Sequence, residues 1–372
     1  MKIGIIGAGA VGLYTGLNLL SQGYEVYIFE EHESIGLPMH CTGIVSEDTV
    51  EEHISRYIDV EDVFLYKTNR LTLNIADKYI LSKESRHKVY IIDRAELDRK
   101  LAEIFIDSGG VINLNSKSRW LDNAIMSEKG EKYLFDIIIV AKGAIGAIER
   151  RGMVDILPGY QVDLYSEKEE WRDTINFYIN KKLNSDFFLW TVPIDGGKPI
   201  YRVGTATHNN PRRALEHFIG DSLSRNIMNK YHGHIVLTGP ITPFTEGNVV
   251  YIGDSAGQTK VTTGGGLRYG FSAGDILSQV ISENEDLEKY EEIWLDKWGR
   301  EIKLQEIARK IYLKLSENEI INILSDLDNV GIIDKFLMKG EVDMHARSLL
   351  RLLIGAPKSV RHLTKIIFKL IG

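Results

Sequence analysis

The chain opens on a short, largely apolar and β-branched run, Lys2–Ile6, which has the character of a strand buried in a parallel sheet. Glycines follow at once. The pattern then changes to helical spacing over Ala10–Gln22, and a second strand is predicted at Glu25–Phe29. Strand-like alternation returns around Tyr66–Ser82 and at Val89–Ile92, and a helix begins near Arg94. Gly110–Leu114 and Tyr133–Val140 read as further strands of the first sheet, the latter running into Ala141-Lys142-Gly143. From about Asp155 to Thr242 the chain becomes strands and short turns: Ile156–Leu164, Thr174–Ile179, Phe187–Val192 and Tyr201–Thr207. It returns to the first sheet at Val249–Gly274, and residues 284–372 read mostly as helix. The expectation is an α/β protein. Residues 1–154 and 243–283 would form a discontinuous first domain, 155–242 a mixed-sheet domain, and 284–372 a helical C-terminal region, a division that 372 residues can support.

The glycines give the first strand a chemistry. Gly7 suits a tight turn, Gly9 lets backbone approach a pyrophosphate, and Gly12 lets the following helix lie close to the strand. That helix aims its free N–H groups and positive dipole end at the phosphates. The second strand ends in Glu30, at a suitable distance to bond ribose hydroxyls, and Glu30 with Glu31 disfavours a ribose 2′-phosphate. A second signature follows the apolar run Val249–Ile252. Asp254, after Gly253, can accept bonds from ribityl hydroxyls, which NAD lacks, and Gly264-Gly265-Gly266 lets backbone contact a flat ring at the start of a helix. Two signatures more than two hundred residues apart point to one cofactor gripped at both ends, FAD, as an FAD-binding Rossmann-type domain would hold it.

Composition narrows the class. With 44% hydrophobic and 26% charged residues the chain is ordinary for a soluble enzyme, and no apolar stretch is long enough to span a bilayer. A single cysteine excludes an internal disulfide, an iron–sulfur cluster and a thiolate zinc site, and suits a cytoplasmic setting. Met1 leads straight into the first strand, so no signal or transit peptide is expected. His208 and the pair His232 and His234 have no companions at metal-ligand spacing, so no metal is expected. Net charge is −7, yet no acid follows Asp343, while Arg347, Arg351, Lys358, Arg361, Lys365 and Lys369 do. Val360, Leu363, Ile366, Ile367, Leu370 and Ile371 fall at helical spacing with the basic residues largely opposite. That is the pattern either of a helix on the inner, anionic face of a membrane or of a terminal helix docked on the protein. The acidic remainder argues against a nucleic-acid partner.

Four segments together resemble the geranylgeranyl reductase family, above all its archaeal lipid-reducing members. The most specific is Gly253-Asp254-Ser255-Ala256-Gly257-Gln258-Thr259-Lys260-Val261-Thr262-Thr263-Gly264-Gly265-Gly266-Leu267-Arg268-Tyr269-Gly270. Gly36–Ile44 is similar to the family's cysteine segment beside the flavin, with Cys41 at the cysteine. Asp93–Asp98 is similar to the helix start whose arginine, here Arg94, approaches the flavin nucleotide. Phe188–Pro193 is similar to the aromatic motif of the substrate cavity, through Phe188, Trp190 and Pro193. The resemblance spans roughly residues 1–300. It implies a para-hydroxybenzoate-hydroxylase-like fold, a cofactor contact at Leu267 as well as at the glycines, and FAD-dependent reduction of isolated C=C bonds in prenylated lipids. The chain departs from the pattern at Lys142-Gly143, where Asp-Gly is usual, at Val261 for proline and at Val192 for phenylalanine.

An unactivated alkene is a poor hydride acceptor, so its reduction needs a proton delivered in step with the hydride. Cys41 is one candidate donor, since an ordinary thiol is mostly protonated at neutral pH, and His40 and Tyr269 are alternatives. Electrons would come from an external donor, a reduced carrier protein or NAD(P)H. Two rival readings remain at this stage: a flavin monooxygenase or halogenase on the same fold, and a redox-inactive FAD-binding or lipid-carrier protein.

Overall fold

A computed structural model of the chain describes residues 1–151 and 155–354. The expected basic amphipathic segment with Val360–Ile371 lies outside the described residues, as does the 154/155 boundary expected between the first two domains. No described helix is long and apolar enough to cross a membrane.

Lys2–Ile6 and Glu25–Phe29 form as expected, and Lys2–Ile6 lies at the centre of a six-stranded sheet. The strand order is Thr245–Glu246, Val249–Tyr251, Ile137–Val140, Lys2–Ile6, Glu25–Phe29, Val111–Asn113. All neighbours pair in parallel except the short edge strand Thr245–Glu246. The central strands are buried, which explains their unbroken apolar runs. Helix Ala10–Ser21 crosses over between the first two strands and packs against helix Leu267–Ser282. Glycine makes that contact close: a Cβ at Gly270 would lie 2.5 Å from Val11 Cγ2, and one at Gly274 would lie 2.6 Å from Thr15 Oγ1.

The second sheet is larger than the sequence pattern suggested. Its eight strands run Ile227–Val236, Ile156–Tyr165, Ile200–Ala206, Leu189–Pro193, Ile175–Ile179, Phe64–Ile75, Tyr79–Ile92, Ile44–Ser46. The last three come from the segment assigned to the first domain. Phe64–Ile75 pairs in parallel with Ile175–Ile179, Leu71 opposite Ile175, so residues 44–92 build the second sheet and not the first. The Tyr133–Val140 prediction also divides. Ile137–Val140 joins the first sheet, while Lys132–Leu134 forms the edge of a separate three-stranded sheet with Ser118–Leu121 and Ala124–Ser127. Asp136 makes the break: its N–H donates to Lys2 O and its carboxylate accepts from Lys2 N–H at 2.7 Å, which turns the chain into the first sheet.

Helix Pro211–Ser224 and strand Ile227–Val236 are additional to the predicted elements. The helix covers one face of the second sheet, with Leu215 and Ile219 packed on Tyr160, Val162, Leu164, Leu189, Tyr201 and Val203. The other face holds Trp190 and Val192 in a second apolar cluster, at whose margin Phe188 and Ile235 are only half-buried. The C-terminal region is helical as expected: Glu288–Lys314, Glu317–Asn329, Ile332–Lys339 and His345–Ile354. The long helix anchors it by burying Tyr290, Trp294, Trp298 and Ile302 in the main core.

Candidate functional site

Both glycine signatures lie at the C-terminal ends of strands in the first sheet, where open α/β sheets bind ligands. At the first, Gly7 has a left-handed φ of +108°, and a Cβ there would lie 2.4 Å from Ala141 O. A Cβ at Gly12 would meet Gly7 O at 2.3 Å, whereas Gly9 faces open space. Gly7 closes the turn and Gly12 lets the helix approach it, while Gly9 leaves open space at the helix start. Helix Ala10–Ser21 has no N-cap side chain, because its cap is Gly9, and helix Leu267–Ser282 has none because its cap is Gly266. By contrast, Asp93, Asn210 and Ser316 cap their own helices. The two helices that start at glycine signatures thus keep backbone donors for an incoming ligand.

Charged side chains gather between these helix starts. Arg94 Nη2 lies 3.0 Å from Asp98 Oδ1, and its Nε is buried with no partner among the described residues. Asp98 also accepts from Ala10 N–H, which joins the arginine helix Arg94–Asp107 to the first turn of the glycine helix. Burial pushes the Asp98 carboxyl up, and Arg94 opposes that shift. Burial likewise raises Asp254 to about 6, again against Arg94. Asp254 Oδ1 would lie 2.8 Å from a Cβ at Gly266, so the absent side chain there is what leaves the carboxylate accessible beside the glycine run. Glu30 accepts from Ala8 N–H at 2.8 Å and from His32 N–H at 3.0 Å, which fixes it at the end of its strand. Glu31 is exposed and stands 3.8 Å from Lys117, so the acidic pair is not unopposed. Beside it lies a cavity of about 350 Å³ lined by Glu31, His32, Asn115, Ser116 and Lys117, among others.

The cysteine segment closes the cleft from the side of the second sheet. Gly43 has φ +91°, and a Cβ there would collide with Ile92 O at 2.1 Å, so the chain must pass this point as glycine. Cys41 Sγ accepts from Gly43 N–H at 3.4 Å. Thr42 Oγ1 donates to Gln161 at 2.9 Å, and Arg202 donates to Thr42 O at 3.2 Å. His40, which is exposed, is tied through Nδ1 to the carbonyl of His232.

Two predicted site residues lie elsewhere. Tyr269 is completely buried; its hydroxyl donates to Asp343 O at 3.0 Å and accepts from Gln305 at 3.1 Å, and its ring packs on Trp298. Burial raises its pKa further, so it is a core residue and not an available proton donor. Strand alternation puts Pro193 with Leu189, on the face opposite Trp190. Phe188 and Trp190 do share a face, with ring centroids 6.1 Å apart, and Phe188 stacks on Phe187 at 4.0 Å. Gly253 (φ +64°), Gly264, Gly265 and the half-buried Leu267 lie along the second signature, and a Cβ at Gly264 would meet Ile235 of the aromatic face at 2.1 Å. The glycine run therefore abuts the face that carries Trp190. Asp98 was absent from the predicted set, although its i,i+4 spacing from Arg94 was a readable signal.

The residues fit a dinucleotide rich in hydroxyls. Carboxylates at Glu30 and Asp254 could accept from sugar and ribityl hydroxyls, the backbone donors and the buried Arg94 Nε suit phosphates, and a Cβ at Gly7, Gly12 or Gly264 would collide with the cradle's own wall. Residues 5–59 match the model of an NAD(P)-binding Rossmann-like domain. An uncharacterised protein of Methanocaldococcus jannaschii is 28% identical over 94% of both chains. Digeranylgeranylglycerophospholipid reductase of Methanosarcina mazei is 22% identical, covering 98% of this chain and 95% of its own. Among solved structures, a geranylgeranyl bacteriochlorophyll reductase-like protein of Thermoplasma acidophilum aligns with a TM-score of 0.82 at 17% identity, and the flavin-dependent brominase Bmp2 with 0.70 at 12%; each alignment covers 98% of both chains. Fold and relatives define an oxidoreductase of the Rossmann α/β type, with a dinucleotide cradle whose residues fit a flavin. Within that class the chain is similar over nearly its whole length to lipid reductases of the geranylgeranyl reductase family.

Proposed function

We propose that the protein is an FAD-dependent reductase that saturates isolated C=C bonds of isoprenoid chains, with geranylgeranyl chains of archaeal-type ether lipids as the substrate class. The observation that carries this reading is the contact between the glycine-rich run and the aromatic face of the second sheet, Gly264 against Ile235, with Phe188 and Trp190 on the same face. A flat, apolar chain lying on that face would run past the edge of a ring held at Gly264–Gly266. Bound and reduced, FAD supplies hydride chemistry. The protein's own part is to exclude water with Trp190, Val192 and Ile235, and to hold a proton near the reacting carbon. Cys41 is the candidate for that proton, because its segment lies between the cofactor cleft and the second sheet, with Thr42 beside it bonded to Gln161 and Arg202.

Electrons reach the flavin from a separate donor, a reduced carrier protein or NAD(P)H. Lys142, at the position where Asp-Gly is usual in the wider class, is bound by Glu149 through both carboxylate oxygens at 2.6 Å.

An anaerobic single turnover tests the reading. Flavin-loaded protein is reduced chemically and mixed with geranylgeranylated glycerophospholipid, and flavin oxidation and lipid mass are followed together. Reoxidation with a gain of two hydrogens per flavin is the expected outcome. Flavin that stays reduced until air is admitted would overturn reduction of that lipid, and an oxygenated or halogenated product would assign the site to oxygen chemistry.

A further inference from the structure

Outside the cofactor cradle, the other side of the glycine-rich run carries a buried charge cluster. Lys260 N–H donates to Gly265 O at 3.0 Å and Lys260 O accepts from Gly264 N–H at 2.7 Å, which ties the lysine backbone to the run. Its side chain lies alongside: a Cβ at Gly265 would be 3.6 Å from Lys260 Cδ and 4.0 Å from Cε. The ammonium is 2.5 Å from Asp343 Oδ1, and Asp343 comes from the turn before the last described helix, far along the chain. Asp343 is 5% exposed, accepts from Ser46 Oγ at 2.6 Å and stands 4.0 Å from Arg268 Nε. Burial pushes its carboxyl up, but the Lys260 ammonium and Ser46 more than offset this and hold it below the usual carboxylate range. A second link lies next to it: His345 Nε2 shares a hydrogen bond with Thr262 Oγ1 at 2.7 Å. The helical C-terminal region thus delivers one carboxylate to the cation that flanks the glycine run.

We propose that Lys260 and Asp343 form a charge pair that sets the reduction potential of a flavin held at Gly264–Gly266. Adding two electrons and one proton to oxidised flavin leaves one additional negative charge on the ring. A fixed ammonium at that edge favours the reduced form, and a carboxylate beside the ammonium cancels part of the effect; in a buried setting such fields are weakly screened. The pair makes the potential depend on Asp343, a residue of the C-terminal region, which acts by partly neutralising Lys260.

This inference rests on the reading that the protein holds a flavin along the run, so its test uses flavin-loaded protein with no lipid present. Midpoint potentials are measured anaerobically by equilibration with reference dyes. Lys260→Met is expected to lower the potential and Asp343→Asn to raise it, each by about tenfold in the two-electron equilibrium, or about 30 mV. Lys260→Arg and Asp343→Glu, which conserve charge, and Thr262→Val, which breaks the neighbouring link but leaves both charges, keep the parent value. A merely structural role would move Lys260→Met and Asp343→Asn in the same direction, or Thr262→Val as much as either. That result, or unmoved potentials, overturns the pair while leaving the flavin reading intact. A protein that cannot be loaded with flavin overturns both.

Discussion

Asp254 shows how one carboxyl can carry opposite signs in stability and in binding. Burial raises it to about 6, so the folded protein holds its proton more tightly than the unfolded chain does. Without flavin, the contribution of Asp254 to stability is therefore fully present below the ordinary aspartate pKa and is lost as pH rises through about 6. Flavin affinity must run the other way, because the ionised carboxylate is the stronger acceptor for ribityl hydroxyls. Titrating flavin into apoprotein by fluorescence quenching between pH 5 and pH 8 is expected to show affinity falling as pH drops through about 6. Asp254→Asn should bind more weakly at neutral pH and lose that step. A step of equal size in the variant would reassign it to another group. Asp254 and the glycines were readable because their chemistry follows from neighbours in sequence. Tyr269 was misread for the converse reason: it sits in a motif segment, but its orientation is set by Trp298 and Gln305 on a distant helix.

At the scale of elements, local signals were read well and pairing partners were not. Lys2–Ile6 and Glu25–Phe29 needed only a short apolar run bounded by glycine. The alternation of Tyr66–Ser82 and Val89–Ile92 also marked strands, but which sheet they enter is decided by Leu71 meeting Ile175, over a separation that no local pattern encodes. Helix Pro211–Ser224 had a readable start, Asn210 capping Arg213 N–H at 3.0 Å with proline at the first turn. The packing of the two glycine-capped helices is the element-level feature most open to test. Gly270→Val puts a branched side chain where a Cβ already lies 2.5 Å from Val11 Cγ2. Overpacking of this kind costs about 1–3 kcal/mol. Urea unfolding should show a lower midpoint with an unchanged slope, and flavin retention should fall because the displaced helix carries Gly9 and Gly12. Full stability and full flavin content in the variant would mean that the two helices separate without consequence for the cradle.

Across the whole molecule, the candidate cleft depends on a polar fastening between its two sheets. The cysteine segment belongs to the chain that leaves the first sheet, yet its carbonyls and hydroxyls are held by the second: Gln161 bonds Thr42 and His40 O, and Arg202 bonds Thr42 O. Arg202 is held by Asp163 through two bonds, at 2.8 and 3.1 Å, and Tyr231 adds a third contact to that carboxylate at 2.7 Å. Arg202 is 4% exposed and Asp163 3%, so neither charge can fall back on water. Arg202→Met leaves a buried carboxylate with only Tyr231 and Asn229 to bond it among the described side chains, and breaking a buried pair this way costs about 3–5 kcal/mol. Asp163→Asn in the same chain removes the stranded charge, so the double variant should be more stable than Arg202→Met alone, although it has lost more native groups. The cleft gives the second readout. Both variants release Thr42 from Arg202, and both should slow the single-turnover step while still binding flavin, because Arg94, Asp254 and the glycines are untouched. Recovery of stability without recovery of turnover would separate the two duties of Arg202, balancing Asp163 and anchoring the segment that carries Cys41. A double variant no more stable than Arg202→Met would show that the loss came from packing and not from the stranded charge.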